Sequence, residues 1–195
     1  MMQLYKRNAS AVWMVLLTIL LIGAGCGKES VQTQAAPAVP QQFLKRVAVL
    51  PFVDLGTAFG PNESVRGPLT RQVFVTDVIA TNGELFMTKT LRRLLSAESK
   101  VQWVAAQAPE TKISPKSASR TELIRSLQFL GQRHKADGVL IGYLYAFRER
   151  QGGNLSAESP AHVAFEVVLV SVESGRLLWQ PKFSETQKSL DQNLF

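Results

Sequence analysis

The feature that most constrains the fold is an uncharged apolar run at residues 138–147, GVLIGYLYAF. It is too short for a typical core helix and rich in β-branched and aromatic residues, which predicts a buried strand. A second run at residues 46–52, RVAVLPF, is continuously apolar up to a proline and predicts another strand buried on both faces. On the strand predicted at residues 138–147, alternation places five side chains on one face: Val139, Ile141, Tyr143, Tyr145 and Phe147.

Two helices are predicted between these strands. Thr81 and Glu84 stand at the spacing of a capping box, and Met87, Leu91, Leu94 and Leu95 then share one face of a helix that ends near Ser99. Ser119 and Glu122 form a second capping box, before a helix that ends at Arg133, His134 and Lys135. Residues 101–105, between the two helices, predict a short strand.

The last third of the folded region predicts strands joined by tight turns. A strand is predicted at residues 163–172, a turn at Glu173, Ser174 and Gly175, and a last strand at residues 177–183. Pro181 places that last strand at a sheet edge. The order is therefore β-α-β-α-β-β-β, which predicts an α/β fold with a single mixed sheet, helices packed on it and an antiparallel carboxy-terminal meander.

The amino terminus has the pattern of a secretory signal. Two positive charges precede an apolar stretch at residues 11–25, which is shorter than the roughly 20 residues that a membrane-spanning helix needs. We therefore expect residues 1–25 to be a signal peptide cleaved between Gly25 and Cys26. A permanent transmembrane anchor is the alternative. Residues 28–43 are rich in Ala, Gln and Pro and predict a flexible tether, so residues 26–44 would join the cysteine to one domain at residues 45–195.

Residues Leu21 to Gly27, LIGAGCG, resemble the lipobox of bacterial lipoproteins, although Gly23 occupies a position where the family prefers Leu. The resemblance implies a lipid on the Cys26 thiol, with a free or buried thiol as the alternative. Gly27 and Lys28 follow the cysteine in place of Asp, which by resemblance to enterobacterial sorting rules implies the outer membrane, facing the periplasm.

The strand RVAVLPF, the segment ADGVLIGYLY and the ending GRLLW resemble a group of periplasmic lipoproteins. The group includes the curli-secretion channel lipoprotein, the lipoprotein activators of penicillin-binding proteins and the amino-terminal domain of the Tol translocation protein. The resemblance covers about residues 45–185 and implies their fold. The break by Gly and Pro at residues 54–80 leaves no pair of alternating segments for barrel strands, so a pore is not expected.

Charge and residue types exclude several classes of function. The net charge is +7, but Lys6 and Arg7 would leave with the signal peptide, and the other basic residues are dispersed, so no nucleic acid partner is expected. One cysteine permits neither an internal disulfide nor a cysteine-based zinc site. No nucleophile elbow, zinc-protease motif or phosphate loop occurs. We therefore predict no catalytic residues, no cofactor and no metal.

Four acidic or histidine residues are candidates for chemistry. His134 and His162 lie in different elements and favour capping or surface roles. Glu166 falls inside an apolar strand on the face of Ala164, Val168 and Val170, which favours a partly exposed sheet face, with a buried carboxylate of perturbed pKa as the alternative. Asp77 or Glu166 beside a distant polar partner in a pocket would be needed for an enzyme that acts on the cell wall.

The sequence therefore predicts a non-enzymatic, membrane-anchored lipoprotein that binds another envelope protein. The segment at residues 54–80 is long for a plain connection and is the first candidate for that contact. The second is the tail, where Phe183, Leu190 and Leu194 could instead dock on the domain. A homo-oligomeric, secretion-type subunit and an enzyme remain the alternatives.

Overall fold

The computed structural model describes residues 44–97, 100–107, 118–152 and 157–187. The strands are β1 (Arg46–Val49), β2 (Val53–Asp54), β3 (Ser64–Arg66), β4 (Val73–Val75), β5 (Gln102–Ala105), β6 (Gly138–Arg148), β7 (Gln151–Gly152), β8 (Ala157–Ser159), β9 (His162–Ser171), β10 (Leu177–Trp179) and β11 (Lys182–Thr186). The helices are α1 (Gly56–Phe59), α2 (Gly83–Ser96) and α3 (Arg120–Arg133).

The main sheet has seven strands, and the central path runs β10, β9, β6, β1, β5. β1 pairs in parallel with β5 and β6, and β2 also pairs in parallel with β6. β6 and β9 are antiparallel along most of their length, and β10 and β11 both pair antiparallel with β9. The predicted mixed sheet with an antiparallel carboxy-terminal meander is confirmed.

The two long helices pack on opposite faces of this sheet, which makes the domain three-layered. Leu127 and Leu130 of α3 share one apolar cluster with Val139 and Val168 of the sheet. The other cluster contains Val47 and Leu140 and is covered by Leu91 of α2. Crossovers between parallel strands are almost always right-handed. The crossover through α2 runs from β1 to β5, and the crossover through α3 runs in the opposite direction, from β5 to β6 on the other side of β1. The two helices therefore lie on opposite faces of the sheet.

Helix α3 begins and ends as predicted. The Ser119 hydroxyl accepts from the Glu122 backbone N–H, and the Glu122 carboxylate accepts from the Ser119 N–H, which completes the predicted capping box. These bonds lower the pKa of Glu122 below its usual value. The helix ends with His134 as its C-cap. The capping role predicted for that histidine is confirmed.

The predicted start of α2 is wrong. Asn82, in the left-handed conformation at φ 62°, is the N-cap and makes no side-chain cap bond, so Thr81 and Glu84 form no capping box. Leu94 is 64% exposed, although the sequence pattern placed it on the buried face. The buried stripe is centred on Thr88, Leu91 and Leu95, and Leu94 lies at its margin.

The two faces of β6 follow the predicted alternation only as far as Tyr145. The register of β6 against β9 shifts between Leu144 and Ala146. Beyond this irregularity Ala146 joins the cluster on the α3 face, and Phe147 packs with the cluster on the α2 face. The prediction that Phe147 shares a face with Tyr145 is therefore wrong, because one irregular residue reverses every later side chain.

The last predicted strand is divided at Pro181 into β10 and β11. Pro181 has no N–H for a ladder, and its carbonyl accepts from the Val167 N–H at 3.2 Å. The edge position predicted from this proline is confirmed. Phe183 of β11 stacks on Phe165 of β9, with ring centroids 5.2 Å apart, so this part of the predicted tail does dock on the domain.

Candidate functional site

Residues 54–80, predicted as a connection of little regular structure, form an ordered insert. It contains α1 and a hairpin in which β3 and β4 pair antiparallel. The buried Thr76 closes the base of the hairpin: its N–H donates to the Glu63 carbonyl at 2.9 Å, and its hydroxyl accepts from the Glu63 N–H at 3.0 Å. Three residues per strand are too few to register as a periodic pattern, which is why the sequence did not reveal this hairpin.

The inner face of the insert covers the sheet. Val65, Leu69 and Phe74 are buried and belong to the same apolar cluster as α3. The Phe74 ring stacks on Tyr145 of β6, with centroids 3.9 Å apart and planes 5° from parallel. The Lys182 ammonium lies 4.7 Å from the Phe74 centroid and donates to the Val73 carbonyl at 2.7 Å. The insert is therefore packed and hydrogen-bonded to β6 and β11.

Glu166 lies beneath the insert and is fully buried. Its Oε1 accepts a hydrogen bond of 2.7 Å from the Tyr145 hydroxyl, and its Oε2 accepts one from the Thr70 hydroxyl of the insert. A Cβ on Gly67 would stand 2.5 Å from Oε1, so only glycine fits over the carboxyl group there. Glu166 thus ties the tip of the hairpin to two strands of the sheet.

The surroundings of Glu166 favour its neutral form. Burial raises the pKa of the carboxyl group, and the hydrogen bonds from Thr70 and Tyr145 and the charge of Lys182 oppose this rise without cancelling it. Burial and the adjacent Glu166 also raise the pKa of the Tyr143 and Tyr145 hydroxyls. The partly exposed face favoured by the sequence is therefore wrong for Glu166, because the insert covers it. The buried carboxylate of perturbed pKa is the alternative that the structure confirms.

A second polar cluster fastens the far end of the insert. The Asp77 carboxylate lies 2.8 Å from the Arg148 guanidinium and 2.9 Å from Nδ1 of His162. Burial acts to raise the pKa of Asp77, but His162, the Val78 N–H and Arg148 together hold it below its usual value. His162 opens β9 as predicted, and its ring binds the insert instead of facing solvent alone.

Asp77 and Glu166 therefore meet polar partners from distant elements, as the enzyme alternative requires. Both Glu166 oxygens are already bonded, and neither acid lines the cleft around Asp137 or the cleft around Arg66. Within the described ranges, no three His, Cys, Asp or Glu side chains are grouped to hold a metal. The geometry suits a structural role, in which the acids attach the insert to the sheet.

The outer face of the hairpin is exposed, with valines on β4 and the polar Ser64 and Arg66 opposite them on β3. Val73 and Val75 point away from the sheet on β4 and are 44% and 52% exposed, and Val78 is 55% exposed. At the start of α2, Phe86 is 58% exposed and its ring lies 5.6 Å from that of Phe147, which is bridged to Ile79 of the insert. We call Val73, Val75 and Val78 the valine face. Large apolar side chains that are exposed close together along the chain, as Val73 and Val75 are on β4, are typical of interaction sites.

The sequence identified residues 54–80 as a site but missed what holds them in place. Tyr145, Thr70 and Lys182 were not singled out, although the acidic residue within the apolar β9 required polar partners wherever the sheet was covered. Cys26 and Gly25, and Leu190 and Leu194 of the tail, lie outside the described residues. The lipidation, cleavage and tail predictions therefore stay predictions. No helix among the described residues is long and apolar enough to cross a membrane.

No family model matches the chain, and no curated protein matches it. Among solved structures, it is similar to the PelC dodecamer from Paraburkholderia phytofirmans, at 15% identity over 80% of each chain with a TM-score of 0.47. It is also similar to lipoprotein GNA1162 from Neisseria meningitidis, at 18% identity over 76% of this chain and 89% of that chain with a TM-score of 0.43.

A third similar structure is the carboxy-terminal domain of LpoB from Escherichia coli, at 15% identity over 74% of this chain and 84% of that chain with a TM-score of 0.40.

Proposed function

We propose that the chain is a non-enzymatic lipoprotein of the bacterial cell envelope that binds another envelope protein through the insert at residues 54–80. Lipid on Cys26 would anchor it in the outer membrane, with the domain at residues 45–195 facing the periplasm. The observation that carries the proposal is the exposed valine face on a hairpin whose other side is tied to a fully buried Glu166.

The energetics of Glu166 favour a purpose for the insert beyond covering the sheet. Burying a carboxyl group has a net cost unless every lone pair finds a partner, and an apolar residue would cover the same area without that cost. The hydrogen bond to Thr70 and the tight fit against Gly67 fix the hairpin in one position. A rigid surface loses less entropy on binding, which favours tight association.

The composition of the valine face indicates the kind of partner. The three exposed valines have β-branched side chains with few rotamers, and none of these side chains can donate or accept a hydrogen bond. Such a surface fits an apolar patch on a folded protein better than a sugar polymer, which needs hydrogen-bonding groups. An envelope protein is therefore favoured over the cell-wall polymer as the partner.

The anchor is tested by Cys26→Ala in the host. We expect the wild type purified from membranes to have the mass of a chain that begins at a lipid-modified Cys26, and Cys26→Ala to carry no lipid, with Ser10→Ala, in the region before the apolar run, as the matched control that is lipidated like the wild type. A wild-type chain that keeps residues 1–25 and has no lipid on Cys26 would contradict the lipid anchor and support the transmembrane alternative.

The partner is tested by a photo-crosslinking amino acid at Val75 in the native, membrane-bound protein. The matched control carries it at Phe129, which is 62% exposed on α3. We expect one adduct of defined mass from Val75 and none of that mass from Phe129. An adduct of two copies of this chain would support the homo-oligomeric alternative. The same adducts from both positions would contradict the proposed surface.

A further inference from the structure

A cleft of about 480 Å³ lies between the insert and the start of α3. Three arginines line it: Arg66 of β3, Arg71 of the hairpin turn and Arg120 of α3. Phe59 and Pro68 contribute apolar wall, and Glu63 is the one carboxylate among the lining residues. Three guanidinium groups against one carboxylate leave the described wall of the cleft with a net positive charge.

Within the part of the chain that the structure describes, the hydrogen bonds of these arginines go to neutral groups and their charges have no counterion. Arg120 Nε donates to the Leu69 carbonyl at 2.7 Å, and Arg66 Nη1 lies 3.4 Å from the Arg71 carbonyl. Both acceptors are neutral backbone groups. Among the described residues the ion pairs involve Asp77 only, so none of the three arginines lies within ion-pair distance of a carboxylate there.

The bond from Arg120 also connects two separate elements. It joins the first turn of α3 to the tip of the insert, so the cleft has walls on two elements that are each packed on the sheet. Arg66 and Arg120 are therefore oriented by bonds that leave other N–H groups of each guanidinium available. A guanidinium group that is already oriented loses little conformational entropy when it binds a planar or tetrahedral oxyanion.

Arg71 occupies a backbone position that does not suit it. Its φ is 66°, in the left-handed region where a side chain is disfavoured and glycine is preferred. A long cationic side chain at such a turn position costs stability that glycine would recover. Residues held in this way concentrate at functional sites.

We propose that this cleft binds a phosphate-bearing anion of about the size of a lipid headgroup. Guanidinium groups match the geometry of phosphate oxygens with paired hydrogen bonds, and their mutual repulsion is relieved when an anion lies between them. The ligand is either the phosphate of an anionic lipid headgroup or a free organic phosphate. Arg66 lies directly opposite Val73 in the hairpin, so the cleft borders the valine face, but binding of the anion does not require the proposed partner.

The full-length protein in a phosphate-free, non-ionic detergent is titrated with glycerol 1-phosphate by calorimetry. We expect saturable binding of one ligand, weakened about tenfold in Arg66→Gln and in Arg71→Gly, because a charge-assisted contact to phosphate is lost in each. Arg93→Gln removes the same charge from α2 on the opposite face and should bind like the wild type. Thermal unfolding of each variant is measured as the control that the protein remains folded.

A second titration of the protein in phosphatidylglycerol nanodiscs distinguishes the two sources. If the lipid headgroup is the ligand, it occupies the cleft and added glycerol 1-phosphate no longer binds. If a free organic phosphate is the ligand, the titration matches that in detergent. Either result supports the site. No saturable binding in detergent, or equal weakening in Arg93→Gln, would overturn it.

Discussion

The Tyr145 hydroxyl donates a 2.7 Å hydrogen bond to the buried Glu166 carboxyl group, joining the neighbouring strands β6 and β9 on the face that the insert covers. Tyr145 also stacks on Phe74 of the insert, and Glu166 also accepts from Thr70 of the insert. The two residues therefore form the base on which the hairpin rests.

Glu166→Ala should lower the free energy of unfolding by about 2–4 kcal/mol. The substitution leaves the Tyr145 and Thr70 hydroxyls without their acceptor and opens a cavity under the insert. Glu166→Gln keeps the shape and an acceptor, so it should cost clearly less. Urea unfolding measures both, and equal losses in the two variants would mean that the hydrogen bonds contribute little.

Stability should fall as pH rises above the ordinary glutamate pKa. Burial raises the pKa of Glu166 above its ordinary value of 4.5, so between that value and the raised pKa the folded protein holds a proton that the unfolded chain has released. The free energy of unfolding therefore declines with rising pH across that interval. Asp77 does not interfere, because its pKa lies below 3.8 and its stabilising contribution is lost only in more acidic solution.

The measurement is the free energy of urea unfolding from pH 4.5 upward, for the wild type and for Glu166→Gln. We expect the advantage of the wild type over the variant to shrink as pH rises, because the variant has no ionisable group at this position. Parallel curves would show that Glu166 has no raised pKa in the folded protein.

Arg71→Gly should stabilise the fold by about 1 kcal/mol. Glycine relieves the left-handed backbone conformation at φ 66°, and this gain exceeds its extra entropy in the unfolded chain. Arg71→Ala is the matched control, since it removes the same side chain but keeps the conformational cost. Thermal unfolding should show a higher midpoint for Arg71→Gly only. A similar gain in both variants would assign the effect to charge instead of backbone conformation.

Gly131→Ala should destabilise the protein by about 1–3 kcal/mol. A Cβ at this position in α3 would stand 2.1 Å from Cγ2 of Val172 and 2.9 Å from Cγ2 of Val139, so the helix would have to move away from the sheet. Gln132→Ala at the next, exposed position should change the unfolding free energy little. An unaffected Gly131→Ala variant would contradict the close packing of α3 on the sheet.

The sequence predicted those elements in which local chemistry and the global fold agree. The run that became β6 is apolar on both faces because a helix covers each face, and Ser119 with Glu122 marks the start of α3 without any tertiary contact. Pro181 marked the edge position through its missing N–H, although the sequence predicted one strand where the structure has β10 and β11. The mixed sheet and its antiparallel end could be derived from the order of the elements, because helical crossovers join parallel strands and tight turns join antiparallel ones.

The errors arose where tertiary contacts decide the outcome. Thr81 lost the cap position to Asn82, whose left-handed backbone starts α2 without a side-chain bond. The irregular register between Leu144 and Ala146 turned the Phe147 side chain to the other face of the sheet, and no residue type in that segment indicates the irregularity. Burial of Glu166 depends on a hairpin nearly 100 positions earlier in the chain, so the pattern of β9 alone could only leave its exposure open.

The most direct test of the central proposal is the affinity between the purified full-length protein and the partner that the Val75 crosslink identifies. If the valine face is the interface, Val75→Asp should raise the dissociation constant by at least about tenfold, because a charge would be desolvated on binding. The unfolding midpoint should stay unchanged, and Phe129→Asp on α3 should bind like the wild type. An unchanged dissociation constant for Val75→Asp would contradict the proposal that the insert binds the partner.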